Sequence, residues 1–311
     1  MKEAFQVCPV LLVIFNRSDL TEKVFERIRE IRPRQLFIAA DGPRKDRENE
    51  LELCRKAREV TRTIDWDCEV HRLERSENLG CKMAVSTAIS WFFEHVEEGI
   101  ILEDDCLPDV SFFRFCTELL EKYRHDPRIA LISGNNFQTT PPACSYYFSR
   151  YPHIWGWASW RRVWESYDVG LSSWNGNPSE LSGFIKAPSV RKRFGKHFDS
   201  VKAGRKNSWA YPLVYLCFKT QALSINPKFN LVENVGFDER ATHTDSTSIN
   251  DVLLPETHAM SFPLEHPTEV VVNEDFDRYT EVCVHKIPRN QWGVWEKSFQ
   301  KRIRKLISRY P

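Results

Sequence analysis

Three consecutive carboxylates, Glu103-Asp104-Asp105, directly follow the apolar run Gly99-Ile100-Ile101-Leu102. Three like charges at the end of a buried strand are costly unless a cation compensates them, and hard carboxylate oxygens suit Mg2+ or Mn2+ bridging a diphosphate. The competing reading is a solvated acidic turn, with Asp109 after Pro108 merely capping the next helix. For an arbitrary acidic triplet that reading is the better one; the buried strand in front of this triplet reverses the preference. The other candidates are weaker taken singly. Arg17 could pair with a phosphate or be an ordinary surface arginine near a helix start. Asp41-Gly42 could hydrogen-bond a base or ribose, or simply turn the chain. Asn78-Leu79-Gly80, with Lys82 behind it, opens a helix whose N-terminal N–H groups favour anions, and a structural cap is the equal alternative. His243, in Ala241-Thr242-His243-Thr244, is a lone histidine, a type more often structural than ligating.

The elements that must position these residues alternate between two periods. Pro9 to Phe15 is a continuous apolar run, as expected of a strand buried on both faces. Ser18 or Asp19 can cap the following helix, whose Leu20, Val24, Ile28 and Ile31 share one face before Pro33 closes it. Leu36 to Ala40 reads as a second strand. A charged helix comes next, with Leu51, Cys54, Ala57 and Thr61 as its inner stripe. Cys68 to Leu73 is a third strand, residues 80–97 a helix, Gly99 to Leu102 a fourth strand, residues 109–125 a helix, and Ile129 to Ser133 a fifth strand. This alternation predicts an α/β fold with a mostly parallel central sheet flanked by helices on both faces. In such sheets ligands bind beyond the carboxyl ends of the strands. Arg17, Asp41 and Glu103-Asp104-Asp105 all fall at such ends, so three loops distant in sequence are expected to converge on one crevice.

The second half is less regular. Residues 138–144 read as a connecting loop, the segment from Trp155 to Trp164 as the start of a helix, and residues 170–190 as a mobile loop. Another apolar stretch runs from Trp209 to Phe218. At the C-terminus, Phe299, Ile303, Leu306 and Ile307 share a face among Lys301, Arg302, Arg304, Lys305 and Arg309. Such a basic amphipathic helix can lie on an anionic membrane surface, giving peripheral membrane contact, or dock on the protein's own body.

Composition limits the function classes. A chain of 311 residues with 41% apolar and 28% charged residues can bury a large core. A formal net charge of +1 argues against a nucleic-acid partner. Nine scattered cysteines, with no C-x-x-C pair, argue against a disulfide framework or structural zinc and favour a reducing compartment. With no signal-peptide pattern and no run of about 20 apolar residues, a cytoplasmic protein is expected. Ten Trp, nine Tyr and twenty Phe could supply platforms for sugar rings, although core packing is the more common use of any one of them.

The chain also resembles N-acetylglucosaminyltransferase I and related bacterial sugar transferases. The resemblance rests on Pro9-Val10-Leu11 through Arg17, on Asp41, and on Ile101 to Asp105 with Pro108-Asp109 and Phe112-Phe113. The Trp155-Gly156-Trp157…Trp164 segment and Thr242-His243 add to it, so that it spans roughly residues 8–245. It implies a GT-A (Rossmann-like nucleotide-diphospho-sugar transferase) fold, a UDP-sugar as donor substrate, Mn2+ or Mg2+, and inversion at the anomeric carbon. Its division of the chain is residues 1–135 for the nucleotide-sugar half, 136–270 for the acceptor half and 271–311 for a tail. By position, Asp105 is the implied metal ligand, with His243 as a further one. Asp104 would contact ribose and sugar, Glu103 would support the site, Asp41 would face the uracil, and Arg17 would lie by the phosphates. Gly42, Asn78 and Lys82 complete the expected nucleotide-binding set.

One position departs from that pattern. Where the family carries an Asp after a Trp as general base, this chain has Trp209-Ala210. Alanine cannot take a proton, and loss of a general base typically costs about 10²–10⁴-fold in rate. Either an Asp-to-Ala change was introduced to trap a complex, or this member turns over weakly or not at all; the intact donor-side residues favour the first. The expected activity is transfer of a sugar from a UDP-sugar to a hydroxyl of a glycan, lipid-linked precursor or peptide. A non-catalytic sugar-nucleotide or glycan-binding protein is the alternative. A sugar-phosphate nucleotidyltransferase is disfavoured, because the loop after the first strand lacks a Gly-rich triphosphate cradle.

Overall fold

The computed structural model describes residues 6–236 and 256–285. In chain order the first half runs β1 (Val10–Ile14), α1 (Ser18–Ile31), β2 (Gln35–Ala40), α2 (Glu50–Val60), β3 (Glu69–Glu74), α3 (Gly80–His95), β4 (Glu98–Glu103), β5 (Cys106–Pro108), α4 (Val110–Tyr123) and β6 (Ile129–Ser133). The second half adds β7 (Tyr146–Ser149), β8 (Trp157–Trp160), α5 (Arg161–Trp164), a 3-10 turn (Pro178–Gly183), α6 (Pro188–Lys202) and α7 (Ala210–Thr220). It closes with β9 (Leu223–Pro227), β10 (Val232–Asn234), α8 (Glu274–Tyr279) and a π-helical turn (Thr280–Val284).

Eight strands form one sheet in the order β3-β2-β1-β4-β8-β6-β9-β7. Only β8 and β7 run against the rest, so the chain is a Rossmann-like α/β protein with a mostly parallel sheet. The apolar run of β1 is buried on both faces, as its composition requires. Val10, Leu12 and Ile14 join a core with Val24, Phe25 and Ile28 of α1 and Phe112 of α4. Leu11 and Val13 point the other way, toward Ile89 and Phe92 of α3 and Leu213 of α7. The two cores thus hold helices on both sides of the sheet.

Register decides what meets at the sheet's carboxyl edge. Ile14 pairs with Ala40 and Val13 with Glu103, so β2, β1 and β4 end side by side. Asp41, the Phe15-Asn16-Arg17 loop and Asp104-Asp105 therefore leave the sheet as neighbours. Strand β8 is antiparallel to β4, with Trp157 opposite Ile101, which brings the preceding residues Ile154 and Trp155 to that same edge. A two-stranded ribbon pairs Asn234 of β10 with Cys106 of β5 and carries Gly236 over Asp105.

Several local expectations are corrected. Helix α1 is preceded by Arg17 with no side-chain cap, and Ser18 and Asp19 are already helical; Thr21 N–H reaches the Arg17 carbonyl instead. In α2, Leu51 is exposed, and Glu50, Cys54 and Ala57 form the buried face. Within the segment from Trp155 to Trp164, Trp157–Trp160 is a strand that fills the gap between β4 and β6, and the expected helix is confined to Arg161–Trp164. Residues 170–190 are not a bare loop. Trp174 is buried, its Nε1 donating to Asp199 Oδ1 at 2.8 Å, and α6 starts at Pro188. Asp109 does cap α4, accepting from Ser111 N–H at 2.8 Å. No described helix is long and apolar enough to cross a membrane. The C-terminal basic helix lies outside the described residues.

Candidate functional site

The carboxyl edge opens into a cavity of about 430 Å³. Its wall takes in Arg17, Asp41, Asn78, Glu103, Asp104, Asp105 and Ala210, from elements up to nearly two hundred residues apart in sequence. Gly42 and Lys82 are not part of that wall. His243 lies outside the described residues.

Arg17 is the hub of the acidic side. Its Nη2 donates to Asp105 Oδ2 at 2.9 Å and, more closely, to Asp104 Oδ1. The Phe15 N–H donates to the other oxygen of Asp104 at 3.3 Å. Burial works against the Arg17 cation, and the charges of Asp104 and Asp105 more than reverse this, holding it above its ordinary value. Burial likewise pushes Asp104 up to about 6, against the pull of Arg17. Glu103 rises to about 8 through burial and then the charges of Asp105 and Asp104. Three carboxylates thus face one guanidinium.

That imbalance bears on a metal. Among the described residues no three or more His, Cys, Asp or Glu side chains converge as a complete ion cage. Yet the carboxylates are hard ligands in surplus over their one cation. One or two of these carboxylates, Asp105 with Glu103 beside it, have the oxygen-donor chemistry that a hard divalent cation would need.

At the end of the neighbouring strand β2, Asp41 has a different task. Its Oδ1 accepts from the N–H groups of Gly42 (3.0 Å) and Leu79 (3.1 Å), and its Oδ2 from Asn78 Nδ2 (2.9 Å). Asn78 Oδ1 accepts from Gly80 N–H at 3.1 Å, and Asn207 Oδ1 from Lys82 N–H at 3.0 Å. The N–H groups of Leu79, Gly80 and Lys82 at the start of α3 are therefore met by side chains, so the geometry there is the capping alternative rather than an open anion site. Gly42 is required by close approach: a Cβ there would lie 2.4 Å from the backbone of Glu77.

Sequence reasoning missed several wall residues. Arg44 lines the cavity because Glu50, only 3% exposed, binds its Nε from both carboxylate oxygens at 3.0 and 2.9 Å. Glu50 Oε1 also accepts from Asn16 Nδ2 at 3.0 Å. A buried acid within a charged stretch was the available signal. Asn207 and Ser208, just before α7, carried no signal, since the bond from Lys82 to Asn207 crosses 125 residues. The aromatic residues mostly serve the core: Trp157 and Trp209 stack at 5.9 Å and are both buried. Trp155, half-buried, is the tryptophan that shares the cavity wall with Trp209.

Fold and site together define a Rossmann-like α/β chain with a charged cleft at the carboxyl edge of its sheet. The sequence matches no family model and no curated protein. Among solved structures it is similar to a UDP-glucose pyrophosphorylase complexed with UDP-glucose, at 11% identity and a TM-score of 0.37, over 73% of this chain and 92% of that one. It is also similar to a cytidylyltransferase from Leptospira borgpetersenii, at 13% identity and a TM-score of 0.31, over 62% of this chain and 74% of that one. A third is a 4-diphosphocytidyl-2C-methyl-D-erythritol synthase from Anaerococcus prevotii, at 9% identity and a TM-score of 0.33, over 57% of this chain and 84% of that one. None of the three is named as a glycosyltransferase.

Proposed function

We propose that the chain is a GT-A glycosyltransferase whose cleft binds a UDP-sugar with a divalent cation. The observation that carries this reading is the meeting, in one cavity, of Arg17, Asp41, Glu103-Asp104-Asp105 and Ala210. The acidic triplet and Arg17 form the side suited to a metal-bound diphosphate, and Arg44, fixed by Glu50, adds a second guanidinium to the wall. Asp41 holds the 77–80 loop closed, shaping the side where a base would enter. Trp155 and Trp209 border the remaining space, where the apolar face of a sugar would fit. A bound Mn2+ or Mg2+ would offset charge developing on the UDP leaving group. Arg17 would contribute to the same stabilisation from the protein itself.

Ala210 borders the cleft at the first turn of α7 with no proton-accepting group. A carboxylate at this position would face the same space as the acidic triplet, where it could take the proton of an acceptor hydroxyl. That absence also favours a second reading, a non-catalytic sugar-nucleotide or glycan-binding protein on the same fold. Assaying UDP release for the parent and Ala210→Asp across a panel of UDP-sugars, with hydroxyl acceptors, separates the two. The transferase reading expects a gain of about 10²–10⁴-fold for one donor sugar. UDP binding without turnover in Ala210→Asp would support the binding-protein reading instead. The loop Phe15-Asn16-Arg17-Ser18 after β1 holds no glycine, whereas a triphosphate cradle would need one, and this is the ground for preferring the glycosyltransferase reading to a nucleotidyltransferase.

A further inference from the structure

A second, smaller cavity of about 170 Å³ opens beside the first turn of α7. The two cavities share adjacent stretches of chain: Ala210 lines the large one and Tyr211 the small one, and Ile154 and Pro152 divide in the same way. Its polar wall is Arg193 and His197 from α6, Tyr211 from α7, and His285. Lys206 supports that wall, its Nζ lying 3.3 Å from Tyr211 Oη and 3.4 Å from His197 Nδ1. The His197 and Tyr211 rings stack at 4.5 Å, which fixes both groups.

Among the described residues no carboxylate lines this cavity and none forms an ion pair with Arg193. Arg193 is exposed and Lys206 half-buried, and among the described residues no carboxylate pairs with either of these two cations. His285 Nε2 is buried and has no hydrogen-bond partner among the described residues, and such an orphan in a folded chain calls for an occupant. Burial, joined by Lys206 and Arg193, lowers His197 to about 4, and burial, joined by His153, Arg193 and His197, lowers His285 to about 3. Both rings are thus neutral near pH 7, each with one N–H to give. The wall offers a guanidinium, a phenol and two imidazoles, arriving from two helices and a turn. Donors spread in this way suit an acceptor with oxygens in several directions.

We infer that this pocket binds a tetrahedral anion, the phosphate or sulfate group of an ester or the free ion. Its volume is below the roughly 300 Å³ at which pockets for drug-sized ligands begin, so it takes the anionic group and not the body of a ligand. With Ala210 next to Tyr211, an acceptor anchored here by its phosphate would extend past α7 toward the large cleft. This placement of an acceptor rests on the transferase reading; the anion site does not.

The test is a titration of the full chain with inorganic phosphate, followed by histidine-selective NMR, and a parallel titration with glucose 6-phosphate. The imidazole signals of His197 and His285 should shift saturably with phosphate. Arg193→Gln should weaken that binding roughly tenfold or more, the size of one charge-assisted hydrogen bond, with UDP affinity unchanged. His197→Gln is the second variant, needed if Arg193→Gln does not fold, and should also weaken phosphate binding. Tighter binding of glucose 6-phosphate than of phosphate assigns the site to a phosphorylated acceptor; equal or weaker binding assigns it to the free anion. Imidazole signals that do not move, or a titration unchanged in both variants, would overturn the site. Phosphate binding here in a chain that fails to bind any UDP-sugar would overturn the transferase reading and leave this site standing.

Discussion

One nitrogen of Arg17 bonds both carboxylates that follow β4, Asp105 Oδ2 at 2.9 Å and Asp104 Oδ1 more closely still. The three side chains are between 4% and 20% exposed, so they form a largely buried ion cluster. Its cation comes from the end of β1 and its anions from the end of the neighbouring strand.

Removing that cation strands two buried carboxylates. Arg17→Met should cost about 3–5 kcal/mol, the usual penalty for breaking a buried pair by deleting one partner. Mn2+ should recover more stability in Arg17→Met than in the parent, because the surplus carboxylates then lack any other cation. Urea unfolding with and without Mn2+ measures both effects. A loss under about 1 kcal/mol would place the cluster among surface pairs of little consequence.

Gly42 tests the packing behind Asp41. A Cβ there would meet the Glu77 backbone at 2.4 Å, which no side-chain rotation relieves. Gly42→Ala should destabilise by about 1–3 kcal/mol, as overpacking does. It should also weaken nucleotide binding, since the displaced segment carries the Asn78 and Leu79 donors that hold Asp41. Thermal unfolding read beside nucleotide titration checks this; full stability in Gly42→Ala would show that the 77–80 loop yields freely.

The docking of α8 carries a pH dependence. Asp277 is pushed up to about 6 and Glu281 to about 7, each chiefly by burial. A carboxyl whose folded pKa lies above its unfolded value binds more protons when folded, so its contribution is full below the unfolded pKa and is lost as pH rises through the folded one. Stability should therefore fall from about pH 4 to about pH 7 through these two groups. Glu281→Gln removes one titration while leaving an oxygen for the Tyr151 hydroxyl. Its stability curve should be flatter over that window, and an unchanged slope would exclude Glu281 as the source.

How much of this was legible in the sequence follows from how local each signal is. The β1 run and the Leu102-Glu103-Asp104-Asp105 transition were readable because burial and charge change within one or two residues of a strand end. That Arg17, Asp41 and the triplet converge followed from the parallel topology that the βα alternation encodes. Strand β8 was not readable as a strand, since its reversed direction between β4 and β6 is a property of the assembled sheet. Leu51 was misplaced by a helical phase that buries Glu50 instead, and only the bonds to Arg44 and Asn16 make that burial tolerable. Asn207 and the small anion pocket were invisible because their partners are brought together only by the tertiary fold.

Isothermal titration of the full chain with UDP, in Mn2+ and again in EDTA, tests the central claim most directly. Saturable binding in Mn2+ that weakens at least tenfold in EDTA, and that loses its metal dependence in Asp105→Asn, is the predicted result; about 1.4 kcal/mol or more would then be carried by the ion. Absence of UDP binding, or heats identical in Mn2+ and EDTA, would contradict a metal-assisted nucleotide site at Glu103-Asp104-Asp105.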